Sequence, residues 1–123
     1  MSPHPQVAIQ DGIASITLDD GKVNALSQQR LEQIGAALDQ AEKAAAVAVL
    51  RGRTGIFSAG FDLSTFKQGP QASRDMGYAG AQVILRLLAF PHPVLTVCTG
   101  HAYPMGAFLM LAAVSSLEVR EAC

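Results

Sequence analysis

The chain offers few side chains suited to chemistry, and its clearest chemical candidates are main-chain amides. In GIFSAGFDL, residues 55–63, three small residues (Ser58, Ala59 and Gly60) precede bulky Phe61 and then Asp62. Small residues in a row leave the backbone bare, so a ligand can reach the amide of Phe61. In HAYPMGAF, residues 101–108, Pro104 suits the first position of a helix, where its missing N–H costs nothing and its φ is already helical. The amides of Met105 and Gly106 then have no acceptor inside the helix and sit at the positive end of its dipole, with Gly106 keeping the approach clear. Such a place suits an anion, or an oxygen that becomes anionic. Two amides from separate loops, converging on one oxygen, form an oxyanion hole, and removing one donor typically costs about 10²- to 10³-fold in rate.

Other chemistries find less support. Ser58 is not in a G-x-S-x-G elbow, because Ile56 stands two residues before it, and no Asp–His pair is placed to activate it. His4, His92 and His101 have no metal-ligand spacing with each other or with the cysteines. No phosphate-binding G-x-x-x-x-G-K or G-x-G-x-x-G pattern is present. Arg51 and Arg53 flank the small-residue loop and read first as a solvated edge. Asp62 reads as a brace for its loop or a cap for the next turn.

Positioning these amides requires two buried strands, each running into a loop and then a helix. Residues 6–10 and 13–19 are β-like runs on either side of Asp11-Gly12, which predicts a hairpin. GKVNAL reads as a loop. Ser27 is placed to cap a helix carrying Leu31, Ile34, Leu38 and Ala41 at helical spacing. Residues 46–52 and 93–100 read as strands buried on both faces. RTGIFSAGFDL reads as a loop, KQGPQASRDMG as a mobile surface segment, and residues 78–90 as a largely buried helix ended by Pro91 and Pro93. A second apolar helix follows Pro104. This ββαβαβα order predicts an α/β fold with right-handed crossovers. Both candidate loops then lie beyond the carboxyl ends of strands, where open α/β sheets take ligands.

Composition narrows the classes. The 123 residues suit one domain, 1–123, and half are apolar, enough for a sizeable core. A net charge of −1 without a basic block argues against nucleic-acid binding. No signal-peptide pattern and no membrane-length apolar run appear. Cys98 and Cys123 make no disulfide framework and fit a reducing compartment. Together these point to a soluble cytoplasmic protein.

Three blocks carry a resemblance to a known family. GKVNALS (21–27), FSAGFDL (57–63) and VCTGHAYPMGAFLML (97–111) are similar in content, order and spacing to motifs of the enoyl-CoA hydratase/isomerase proteins, the crotonase superfamily. The chain resembles the N-terminal half of such a protein. The resemblance implies a ClpP/crotonase-type spiral of ββα units, incomplete at its C-terminus. It implies an acyl-CoA thioester as partner, with coenzyme A arriving as part of the substrate and no separate cofactor. The thioester oxygen would be held by the amides of Phe61 and Met105. Val23, Ala25, Ser58, Gly60, Asp62 and Leu63 would join them in the substrate path. A homo-trimer or hexamer is implied for a completed fold.

The sequence also departs from that family. The helix position where hydratases carry a first glutamate corresponds to Phe108, which can neither give a proton nor orient water. Pro104 and Met105 stand where the family usually has glycine. These departures favour an isomerase, hydrolase or other enolate chemistry over plain hydration. They leave as the alternative a non-catalytic acyl-CoA binder or an inactive truncated paralogue.

Overall fold

The computed structural model describes residues 5–44, 46–113 and 115–118. Strands β1 (Gln6–Gln10) and β2 (Ile13–Thr17) form the expected antiparallel hairpin. Its turn residues Asp11 and Gly12 have φ of 53° and 78°, the left-handed pair that matches the twist of two hairpin strands. A two-residue strand, β3 (Ala25–Leu26), precedes α1 (Gln28–Lys43). The Ser27 hydroxyl accepts from the Arg30 amide at 3.2 Å, capping α1. Leu31, Ile34, Leu38 and Ala41 form its buried stripe.

The chain then enters β4 (Val47–Arg51), followed by β5 (Gly55–Ser58), β6 (Gly60–Phe61), the short α2 (Leu63–Phe66) and α3 (Pro70–Leu88). Next come β7 (Val94–Cys98), β8 (Gly100–Ala102), α4 (Pro104–Leu111) and β9 (Ser115–Glu118). The main sheet has the order β1-β2-β4-β7-β9, and every pair except the hairpin is parallel. The strand–helix alternation thus gives the expected α/β architecture.

One face of this sheet, with Ala14, Ile16, Ala48, Leu50 and Val94, forms a core with the buried stripes of α1 and α3. Arg86 of α3 ties the two helices together at the surface through Asp39 and Glu42 of α1. The opposite residues of β4 and β7, Val47, Val49, Leu95 and Val97, are only half-buried. The expectation that both strands are buried on both faces is therefore corrected. An unbroken apolar run does not reveal which of its two faces a helix covers.

Three further expectations change. RTGIFSAGFDL is not a plain loop, because β5 pairs in parallel with β8 and β6 with β3. Strands of two to four residues are too short to show alternation, and their partners are distant in sequence. KQGPQASRDMG is not a loose surface segment. Pro70 takes the first turn of α3, and Met76 anchors that part of the helix in the core. Nor is the helix largely buried: Tyr78, Leu85 and Leu88 are exposed on its far side.

Cys98 is buried in β7. Cys123 lies outside the described residues. Among the described residues no helix is long and apolar enough to cross a membrane.

Candidate functional site

β4 and β7 are parallel neighbours, so the loops that follow them leave the same edge of the sheet. The small β3–β6 and β5–β8 sheets then draw three loop regions together, one after each of β2, β4 and β7. A cavity of about 200 Å³ lies among Ala59, Gly60, Phe61, Leu63, Phe66, Pro104 and Met105. The two sequence-derived loops therefore meet at one hollow. None of these lining residues carries a titratable side chain, so what the hollow presents is apolar surface and main-chain polarity.

The two candidate residues reach the hollow by different routes. In the β3–β6 ladder, the Asp62 amide donates to the Leu26 carbonyl at 3.1 Å. Successive amides of a strand face opposite edges, so the Phe61 amide points away from β3. Met105 reaches the hollow at the start of α4. The first helical bond runs from the Ala107 amide to the Tyr103 carbonyl, 2.9 Å, so the amides of Met105 and Gly106 precede it without a helical acceptor. A β-carbon placed on Gly60 would lie 3.5 Å from the Met105 nitrogen. Gly60 itself has φ of 86°, a conformation that side-chain-bearing residues rarely adopt. The Phe61 ring and the Met105 methyl both pack inward on Gly80 of α3.

Of the other predicted site residues, Leu63 lines the hollow and is 74% exposed. Val23, Ala25, Ser58 and Asp62 do not line it. Val23 is exposed, and its carbonyl accepts from the Ala59 amide at 2.9 Å. Ala25 pairs with Gly60 in the ladder. Asp62 caps α2, accepting from the Ser64 amide at 3.2 Å and from the hydroxyls of Ser64 and Thr65, as a brace would. Ser58 is fully buried: its hydroxyl donates to the Asn24 carbonyl at 2.8 Å and accepts from the Gly60 amide at 3.0 Å.

Gly106 plays a different part from the one expected. A β-carbon there would come within 2.9 Å of both the Cβ and the carbonyl oxygen of Ser58. Its smallness lets α4 pack against β5; it does not clear a path for ligand. Phe108, at the position the resemblance assigns to a hydratase glutamate, lines a separate apolar depression with Ile84, Leu88, Leu111 and Ala112.

Sequence reasoning passed over Asn24. It is 1% exposed, has φ of 54°, and donates through its amide to the Leu18 carbonyl (2.8 Å) and the Phe57 carbonyl (3.1 Å). Its side-chain oxygen accepts from the Asp20 amide at 3.0 Å. Asparagine is among the few residues that enter left-handed backbone readily. The available signal was a lone amide side chain between Val23 and Ala25, in a block otherwise poised for burial.

A parallel α/β scaffold whose two loops meet at one apolar hollow defines a class, and comparison with known proteins assigns the family. A family model described as enoyl-CoA hydratase/isomerase matches residues 8–117. The chain belongs to that family, and its fold is of the crotonase type. It is 32% identical over 110 residues to a probable enoyl-CoA hydratase of Bacillus subtilis, covering 86% of this chain and 43% of the relative. Among solved structures, an enoyl-CoA hydratase/isomerase family protein from Pseudomonas syringae is 38% identical with a TM-score of 0.90, over 93% of this chain and 50% of that one. An enoyl-CoA isomerase from Mycobacterium tuberculosis is 39% identical with a TM-score of 0.88, over 94% and 51%. The chain thus spans about half the length of the relatives it matches.

Proposed function

We propose that this chain binds an acyl-CoA thioester and stabilises the enolate oxyanion formed from it, with the amides of Phe61 and Met105 as the two donors. The observation that carries this reading is the meeting of both residues at one apolar hollow, with Gly60 against the Met105 amide. An acyl group fits the apolar lining. When a proton leaves the carbon next to the thioester, negative charge moves to the carbonyl oxygen. Two preorganised N–H groups in a low-dielectric hollow lower the energy of that oxygen more than they lower that of the neutral carbonyl. Coenzyme A enters as part of the substrate, its arm running past Val23, Ala25 and Leu63. Ser58 and Asp62 belong to the same stretch through the backbone they hold.

The hollow itself supplies no acid or base, so the reading stops at binding and polarisation. A lyase or isomerase activity, and a trimeric or hexameric assembly, extend the proposal to a protein of its relatives' full length. The test is calorimetric titration with acetoacetyl-CoA, whose enolate form is stabilised by such a site, against a CoA thioether that lacks the carbonyl oxygen. Tighter binding of the thioester, with growth of enolate absorption, supports the reading; equal affinities contradict it.

A second reading, an acyl-CoA binder without turnover, is favoured by Phe108, which has no proton to move and faces a different depression. Hydration or isomerisation of crotonyl-type CoA esters separates the two: turnover supports the enzyme, and binding without turnover supports the binder.

A further inference from the structure

The two oxygens of Ser58 hold both loops of the hollow. Its hydroxyl accepts from the Gly60 amide at 3.0 Å, one residue before Phe61. Its carbonyl accepts from the Tyr103 amide at 3.0 Å, two residues before Met105. The hydroxyl hydrogen goes to the Asn24 carbonyl at 2.8 Å, which leaves a lone pair for Gly60. Asn24 is in turn fixed at its amide by the carbonyls of Leu18 and Phe57. On the other side, α4 presses against Ser58 through Gly106, with no room for a β-carbon.

We infer that Ser58, aimed by Asn24, is the positioning residue that sets the separation of the Phe61 and Met105 amides. The inference rests on the oxyanion reading above and adds its source of rigidity. Ser58 is fully buried and its hydroxyl is already committed, so it acts through the two loops and not on a ligand. Without the hydroxyl, Gly60 loses its only side-chain acceptor among the described residues, and the Phe61 amide is free to turn. Donors help an oxyanion only when held in place before the charge develops, and small misplacements are costly.

The experiment compares wild type, Ser58→Ala and Ser58→Cys for affinity toward acetoacetyl-CoA and toward a CoA thioether. Wild type is expected to prefer the thioester. Ser58→Ala should lose about tenfold of that preference while its thioether affinity stays unchanged, following the sensitivity of reactive geometry to displacement. Ser58→Cys, nearly the same shape with a weaker donor and acceptor, should recover part of it. If Ser58→Ala does not fold, Ser58→Cys carries the comparison alone, with a partial loss expected. A wild-type preference that survives unchanged in the variants overturns the inference and leaves the oxyanion reading standing. Parallel loss of both affinities reduces Ser58 to a stability role and also overturns it. No preference in the wild type overturns both readings together.

Discussion

Gly60 lies directly against the amide of Met105: a β-carbon on the glycine would stand 3.5 Å from the methionine nitrogen, with the Tyr103 carbonyl carbon and oxygen 3.7 Å away. Residues far apart in the chain thus meet main chain to main chain. The contact depends on the left-handed φ of 86° at Gly60. Gly60→Ala should lose about 1–2 kcal/mol of stability from the backbone conformation alone. It should also rotate the neighbouring Phe61 amide. Chemical denaturation should register the first effect, and weakened acetoacetyl-CoA binding the second.

Gly106→Ala tests the packing of α4 on β5. The added methyl would meet backbone and Cβ of Ser58 at 2.9 Å, with no flexible side chain to yield. Overpacking of this kind costs about 1–3 kcal/mol. Thermal unfolding should show a lowered midpoint, and thioester binding should fall with it as α4 moves outward.

Asn24→Ala removes a donor that serves two buried carbonyls and puts a β-carbon residue without a polar group at φ of 54°. Leaving buried acceptors unpaired costs about 1–3 kcal/mol each, and left-handed alanine adds about 1–2 kcal/mol. Asn24→Gly keeps the backbone conformation and should be the milder change. Equal losses in the two variants, by urea titration, would show that the conformation is not part of the role of Asn24.

Asp62→Ala should separate capping from chemistry. Asp62 is an N-cap whose carboxylate accepts from Ser64 and Thr65. Removing a cap costs about 0.5–2 kcal/mol. Affinity for acetoacetyl-CoA should change little, whereas a hundredfold loss of that affinity would assign Asp62 a direct role.

The sequence exposed what local physics controls. The Asp11-Gly12 turn, the Ser27 cap and the apolar stripe of α1 each follow from residues within a few positions of one another. Both candidate loops were visible for the same reason: a buried strand, small residues and, at Pro104, a helix start. What stayed hidden depends on distant partners. The β5–β8 and β3–β6 pairs are too short to carry a pattern. Gly106 reads as open space until Ser58 is found beside it, and Asn24 reads as a loop residue until the carbonyls of Leu18 and Phe57 close around it. The polar stretch before Met76 hid a helix because only one of its faces is buried.

The account turns on the Met105 amide as a hydrogen-bond donor to the thioester oxygen. The direct measurement replaces that single amide by an ester, installing the α-hydroxy analogue of methionine at position 105. The side chain and its packing on Gly80 are kept, and only the N–H is lost. Binding of acetoacetyl-CoA should then weaken by about tenfold or more and its enolate absorption should collapse, in line with loss of a charge-assisted hydrogen bond. The thioether affinity should hold. Undiminished enolate formation on the ester-bearing chain would contradict the account.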